Sequence, residues 1–184
     1  MSISESIRNR RSIGKVKQDS IPRESIERIL EAGIWAPNHR LTEPWKFFVL
    51  EGNGRNKLAE ALASVAGNGE VTEESLSSAR KKVERAPLII AVAVEPEDNP
   101  KIIELEEYGA VFAAIQNMLL EIHELGLGAV WRSGEPCYHE LMGKAFDLSE
   151  KGKMLGFIYI GIPENKDQQS KRTPFAEKTV WISE

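Results

Sequence analysis

Leu88-Ile89-Ile90-Ala91-Val92-Ala93-Val94 is an uninterrupted apolar run opened by Pro87, and four of its seven residues are β-branched. A strand with one wet face alternates apolar with polar residues, whereas a run without alternation suits a strand covered on both sides. The sheet that holds it therefore carries helices on both faces. Met154-Leu155-Gly156-Phe157-Ile158-Tyr159-Ile160 is a second strongly apolar strand. Trp45 to Leu50 reads as a third after Pro44, and Ala129-Val130-Trp131 as a short fourth. Thr179-Val180-Trp181-Ile182 can add a final strand at the end of an extended arm.

Helices fill the intervals. Ile3 and Ile7 suit a short amphipathic helix ending near Arg8 to Arg10. Ile26, Ile29, Leu30 and Gly33 repeat at helical spacing behind Ser20, a candidate cap, and Pro22, tolerated in a first turn. Pro37 closes that helix, because a proline bars the preceding residue from helical angles. Residues 55–66 and 72–85 read as two surface helices, the second rich in both charge signs. Residues 104–125 form the longest helix, with Gly109, Ala110, Ala113 and Ala114 small enough to let another helix or a symmetry mate approach. Gly126 and Leu127 fit a left-handed stop with its apolar contact, and a helix from Pro136 to Ala145 follows. This order predicts an α+β fold, a central mixed sheet flanked by helices, in a single domain over 1–184.

A chain of 184 residues can bury a sizeable core, and 41% hydrophobic content is that of a globular protein rather than a disordered one. A net charge of −4 argues against nucleic acid as a partner, which needs a broad basic excess. Cys137 is the sole cysteine, so no intrachain disulfide forms. Met1-Ser2-Ile3-Ser4-Glu5 lacks the order of a signal peptide, and no apolar run approaches the ~20 residues of a membrane span. The expectation is a cytoplasmic protein with no membrane partner.

Against that acidic balance, Arg8, Arg10, Arg11, Lys15 and Lys17 outnumber Glu5 and Asp19 near the start. Arginines at a helix end are ordinarily solvated or offset the helix dipole, so the weight comes from segments that agree. Arg10-Arg11-Ser12 sets two guanidinium forks beside a hydroxyl, a cradle for phosphate. Arg132-Ser133 follows a strand, and Lys171-Arg172 lies in the late arm. Trp35, His39 and Trp131 are flat side chains at element ends. Together they describe a site for a flat ring carrying a phosphate.

Other chemistries fit less well. Gly126-Leu127-Gly128 precedes a strand, the wrong order for a dinucleotide fingerprint. Gly52-Asn53-Gly54-Arg55-Asn56-Lys57 lacks P-loop spacing, and Ser133 lacks the glycine two positions before a nucleophile-elbow serine. Cys137, His139 and His123 have no identifiable partners for a metal. No metal ligand and no catalytic side chain is assigned.

Several stretches keep a shared order and spacing: Arg10-Arg11-Ser12, Ala36-Pro37-Asn38-His39 with Pro44-Trp45, Gly126 to Gly134, and Gly156 to Gly161. In these the chain resembles the nitroreductase family of FMN-dependent oxidoreductases, and is most similar to its compact YdjA-like subgroup. The resemblance implies an intertwined homodimer with FMN at each of two subunit interfaces. It implies that Arg10, Arg11 and Ser12 hold the FMN phosphate, ribityl chain and pyrimidine edge, without dividing these between the two arginines. Trp35 and His39 match positions that approach the flavin from the partner chain. Trp131, Arg132 and Ser133 match the segment beside the isoalloxazine and phosphate, and Arg172 resembles a late phosphate contact that the compact subgroup often lacks. Longer members insert helices around the substrate pocket for which this chain has no room.

The activity so implied is that of an FMN-dependent NAD(P)H oxidoreductase, a nitroreductase. Electrons pass from NADH or NADPH through FMN to a small nitroaromatic or quinone-like acceptor by a ping-pong mechanism. The same contacts also suit a flavin-binding or storage protein with little turnover, or an enzyme of this fold doing non-nitro redox chemistry.

Overall fold

In the computed structural model, which describes residues 2–165 and 171–183, the apolar run becomes β2 (Leu88–Val94), buried along its whole length. It lies inside a four-stranded sheet with β1 (Trp45–Glu51) on one side, then β4 (Lys153–Gly161) and β3 (Gly128–Arg132) on the other. All three pairings are antiparallel. Among the described residues the one parallel contact is the isolated bridge between Ser12 and Ala129 at the β3 edge, outside the named strands. The β2–β4 register shifts between Val92 and Ala93, leaving Leu155 as the extra residue of a bulge.

Strand alternation divides the core as the uninterrupted run requires. Ile89, Ala91 and Ala93 face one layer with Leu58, Val83, Cys137 and Phe146. That layer is built from α3 (Arg55–Ala66), α4 (Glu73–Val83), α6 (Glu135–Tyr138) and α7 (Glu140–Ala145). Leu88, Ile90, Val92 and Val94 face the other layer. There they meet Ile26 and Ile29 of α2 (Arg23–Ile34) and Ile115 and Met118 of α5 (Glu104–Glu124).

Local signals set the ends. The opening helix α1 (Ile3–Asn9) starts with a reciprocal Ser2–Glu5 capping box. Helix α5 stops at Gly126, φ 74°, and the Leu127 amide donates to the Ile122 carbonyl at 3.0 Å, the expected left-handed termination.

Three expectations change. Ser20 does not cap α2; Pro22 takes that place, and its carbonyl accepts from the amides of Ser25 and Ile26. The helix expected over Pro136 to Ala145 breaks at extended His139, whose imidazole accepts the Leu141 amide at 3.2 Å and so caps a second helix. Residues 179–182 form no strand: after a 3-10 turn at Phe175–Lys178 they run irregular and exposed, with no ladder partner among the described residues. Within the arm that precedes this turn, residues 166–170 lie outside the described residues. Of the small residues on α5, Ala110 and Ala114 pack inward, while Gly109 faces outward in a stripe with Leu105 and Phe112.

Candidate functional site

The Arg10 amide closes α1 on the Ser6 carbonyl at 3.0 Å, and the chain then turns to run beside β3. The Ile13 amide donates to the Ala129 carbonyl at 2.7 Å, and Ile13 is buried. One anchored hydrophobe thus fixes Arg10, Arg11 and Ser12 at the sheet edge. Arg10 is half-buried, and its Nε has no hydrogen-bond partner among the described residues. Burial, and after it the like charges of Arg11 and Arg172, push its pKa below the ordinary guanidinium value. Arg172 therefore comes close enough to act on Arg10. Arg11 diverges: its Nη1 donates to the carbonyls of Arg8 at 2.6 Å and Arg10 at 2.8 Å. It also lines a pocket of about 220 Å³ with His123, Glu124 and Leu127.

Trp131 and Arg132 project from opposite faces of β3, as neighbours on a strand must. The Trp131 indole donates to the Leu155 carbonyl at 3.3 Å and sits 5.8 Å, centroid to centroid, from Phe112 on α5. Arg132 stacks its guanidinium 5.4 Å from the Tyr159 ring centroid. Its Nη2 lies 3.8 Å from where a Cβ on Gly14 would stand, which places Arg132 against the strand-like segment after Ser12. Ser133 follows, and Gly134 turns the chain with φ 107°, a value that favours glycine. Beneath, burial pushes the Cys137 thiol up to about 12, which removes it as a nucleophile near neutral pH.

Trp35 and His39 stand apart from this group. Trp35 follows α2 and is 78% exposed. His39 bonds Glu106 on α5 and opens a turn in which Arg40, Leu41 and Glu43 all have positive φ, at 60°, 55° and 49°. Such angles on side-chain-bearing residues cost on the order of 1 kcal/mol each and need external support. Buried Glu107 supplies it, accepting the Thr42 hydroxyl and, at 3.0 Å, the Glu97 amide.

Helix α5 measures the separation. Glu106 holds His39 near its start, while Glu124 accepts the Ser6 hydroxyl of α1 at 3.3 Å at its end. The intervening eighteen steps span about 27 Å at 1.5 Å per residue. Along the β3 edge the chain places Arg10, Ser12, Arg172, Trp131, Arg132 and Ser133, while Arg11 turns toward the end of α5, and Trp35 and His39 are not brought to them.

Phe112, Tyr159, Lys82 and Arg85 were not evident from sequence as neighbours of this edge. Phe112 sits in a helix otherwise legible as core, and the two cations belong to a helix legible as solvated surface. A signal did exist for Tyr159: Arg132 pairs with Phe157, and residues two apart on a strand share a face.

The sequence profile of the Nitroreductase family matches residues 7–162. An Escherichia coli protein provisionally named NAD(P)H nitroreductase YdjA is 34% identical over 166 residues, covering 90% of this chain and 91% of its own. A Bacillus subtilis protein provisionally named NAD(P)H nitroreductase YfhC is 33% identical, covering 94% of this chain and 90% of its own. Among solved structures, a nitroreductase-like family protein from Bacillus cereus superposes with a TM-score of 0.86 at 30% identity, over 99% of this chain and 96% of its own. A provisionally named nitroreductase from Desulfovibrio desulfuricans, solved in complex with FMN, gives a TM-score of 0.77 at 30% identity, over 98% of this chain and 96% of its own.

Proposed function

The chain belongs to the nitroreductase family, and from that premise we propose that it is an FMN-dependent NAD(P)H oxidoreductase acting as a homodimer. It passes electrons from NADH or NADPH to nitroaromatic or quinone-like acceptors by a ping-pong sequence. The observation that carries this reading is Arg10: a half-buried cation whose Nε has no partner among the described residues, held at the same edge as Ser12, Trp131, Arg132 and Ser133. A buried unpaired donor is costly unless a ligand satisfies it. The donor set fits a phosphorylated flavin, with guanidinium groups and hydroxyls for the anionic parts and an indole backed by Phe112 for the flat ring.

When bound, FMN supplies the two-electron chemistry, while the protein supplies position and electrostatics. Arg10 and Arg132 would bind and orient it, and Ser12 and Ser133 would add hydroxyl donors. A guanidinium beside the pyrimidine edge favours uptake of negative charge there. The exposed backbone amides of Ser133 and Gly134 would be available as hydrogen-bond donors to the bound ring. The turn after β3 is open, so solvent serves as proton source without a dedicated side-chain acid.

The separation along α5 supports the dimer. A two-fold axis that packs α5 antiparallel on its copy sets the start of one helix against the end of the other. The partner subunit's Trp35 and the partner subunit's His39 then reach the Arg10 edge. Exposed Leu105, Gly109 and Phe112 on α5, and the arm bearing Trp181 at 83% exposure, supply apolar surface for such an interface.

Anaerobic stopped-flow mixing of the FMN-loaded protein with NADH or NADPH is the test. Loss of the ~450 nm flavin absorbance, restored by a quinone or nitroaromatic, supports the reductase. Persistent colour overturns it in favour of flavin storage.

A further inference from the structure

We infer that Glu106 is a positioning residue for His39: it holds the Nδ1 edge of the imidazole, fixes the ring's orientation and tautomer, and presents Nε2 to the flavin site of a second copy of this chain. The inference rests on the dimeric flavin reading above. Glu106 lies in the first turn of α5, and its carboxylate meets His39 Nδ1 across 67 positions of sequence. A carboxylate only accepts, so the proton between them belongs to Nδ1. Nε2 is thereby left as the nitrogen available for a further contact.

The backbone that carries the ring is fixed as firmly. Arg40, Leu41 and Glu43 all hold positive φ. Glu107, the next residue on α5, accepts the Thr42 hydroxyl, and Asn38 Oδ1 accepts the Glu43 amide at 3.1 Å. Strained backbone persists only where its surroundings over-determine it, and it gathers where a side chain must be delivered to a site. Two adjacent glutamates thus divide the task. Buried Glu107 holds the turn, and exposed Glu106 aims the imidazole that the turn carries.

Two plainer explanations fall short. An acidic residue in a first turn offsets the helix dipole, but Glu104 and Glu107 occupy the same turn, and that role asks for no imidazole. A surface ion pair can simply add stability, but the His39 and Glu106 side chains are 56% and 42% exposed, where such pairs contribute little. What the bond changes most is the freedom of the ring. An imidazole that is already immobilised gives up less entropy when a ligand arrives, which is how preorganisation strengthens binding.

The test titrates the full-length, flavin-freed protein with FMN, following quenching of flavin fluorescence, and records the visible circular dichroism that the bound flavin acquires. Glu106→Ala should weaken FMN by about 5-fold and reduce the visible dichroism. Glu106→Gln, whose amide oxygen still accepts from Nδ1, should stay within about 2-fold of wild type. Adding Glu106→Ala to His39→Ala should cost less than about 1.5-fold more, because the two changes remove one interaction. The melting temperature of flavin-free protein should move by no more than about 2 °C in either Glu106 variant. A loss from Glu106→Ala that is equal with and without His39, an Ala variant that binds FMN as wild type does, or a Gln variant as weak as the Ala variant overturns the inference while leaving the flavin reading intact. Unchanged FMN affinity in His39→Ala overturns the approach of His39 to a second copy's flavin, and this inference with it. Wild-type protein that binds no FMN overturns the flavin reading itself.

Discussion

A Cβ on Gly156 would stand 1.9 Å from Nε1 of Trp131, so the indole lies across β4 only because that position has no side chain. Gly156→Ala should expel the indole from its bond to Leu155, lower stability by on the order of 1–3 kcal/mol, and alter the near-ultraviolet circular dichroism. An unchanged spectrum would mean that Trp131 is not fixed there. Arg10 makes a different prediction because its buried Nε has no partner among the described residues. Arg10→Ala should weaken FMN by about 10-fold or more without lowering the melting temperature of flavin-free protein, since it removes an uncompensated group rather than a bond. A lower melting temperature would assign Arg10 to the fold instead. Cys137, with its thiol pushed up to about 12, holds a thiolate fraction of only about 10⁻⁴ at pH 8. That fraction rises tenfold for each further pH unit, and iodoacetamide should label the native protein far more slowly than the unfolded chain; equal rates would contradict the burial.

Among elements, the strands were the most legible in sequence, because continuous apolar runs such as 88–94 have one stable environment, between two helical layers. The stop at Gly126 was legible for the same local reason, one residue fixing one conformation. What sequence did not convey depends on contacts between distant residues. The break at His139 comes from a side chain accepting an amide two residues on, and the loss of the 179–182 strand goes with the lack of a ladder partner among the described residues. The cradle at Arg10 to Ser12 was visible as a charge pattern, yet the divergence of Arg11 from Arg10 rests on carbonyls that no pattern specifies. The strained turn after His39 was hidden for the same reason, since its three left-handed residues are ordinary side-chain types held by Glu107. Glu107→Gln should cost about 1–3 kcal/mol, read as a lower urea midpoint, because the amide cannot accept at both places. An unchanged midpoint would show that the turn holds itself. On the opposite, exposed face of α5, Gly109→Trp should obstruct a close helix pair, turning a dimer into a monomer in sedimentation without unfolding it. A dimer that survives the indole would move the interface elsewhere.

For the whole molecule, the geometry sets two incomplete groups at the two ends of one helix, with a cationic edge at one end and Trp35 and His39 about 27 Å away at the other. Neither surrounds a flat ring alone, and the proposed two-fold pairing would complete both at once. The central claim is that each flavin is held by two chains, and differently tagged subunits test it directly. One subunit carries Arg10→Ala/Arg132→Ala and the other Trp35→Ala/His39→Ala. In the mixed dimer, one site collects every defect while the other is wild type in all four residues. Purified mixed dimers should bind one FMN per dimer with wild-type affinity, although each variant alone binds weakly. Mixed dimers in which both sites stay as weak as in the parent variants would contradict the account.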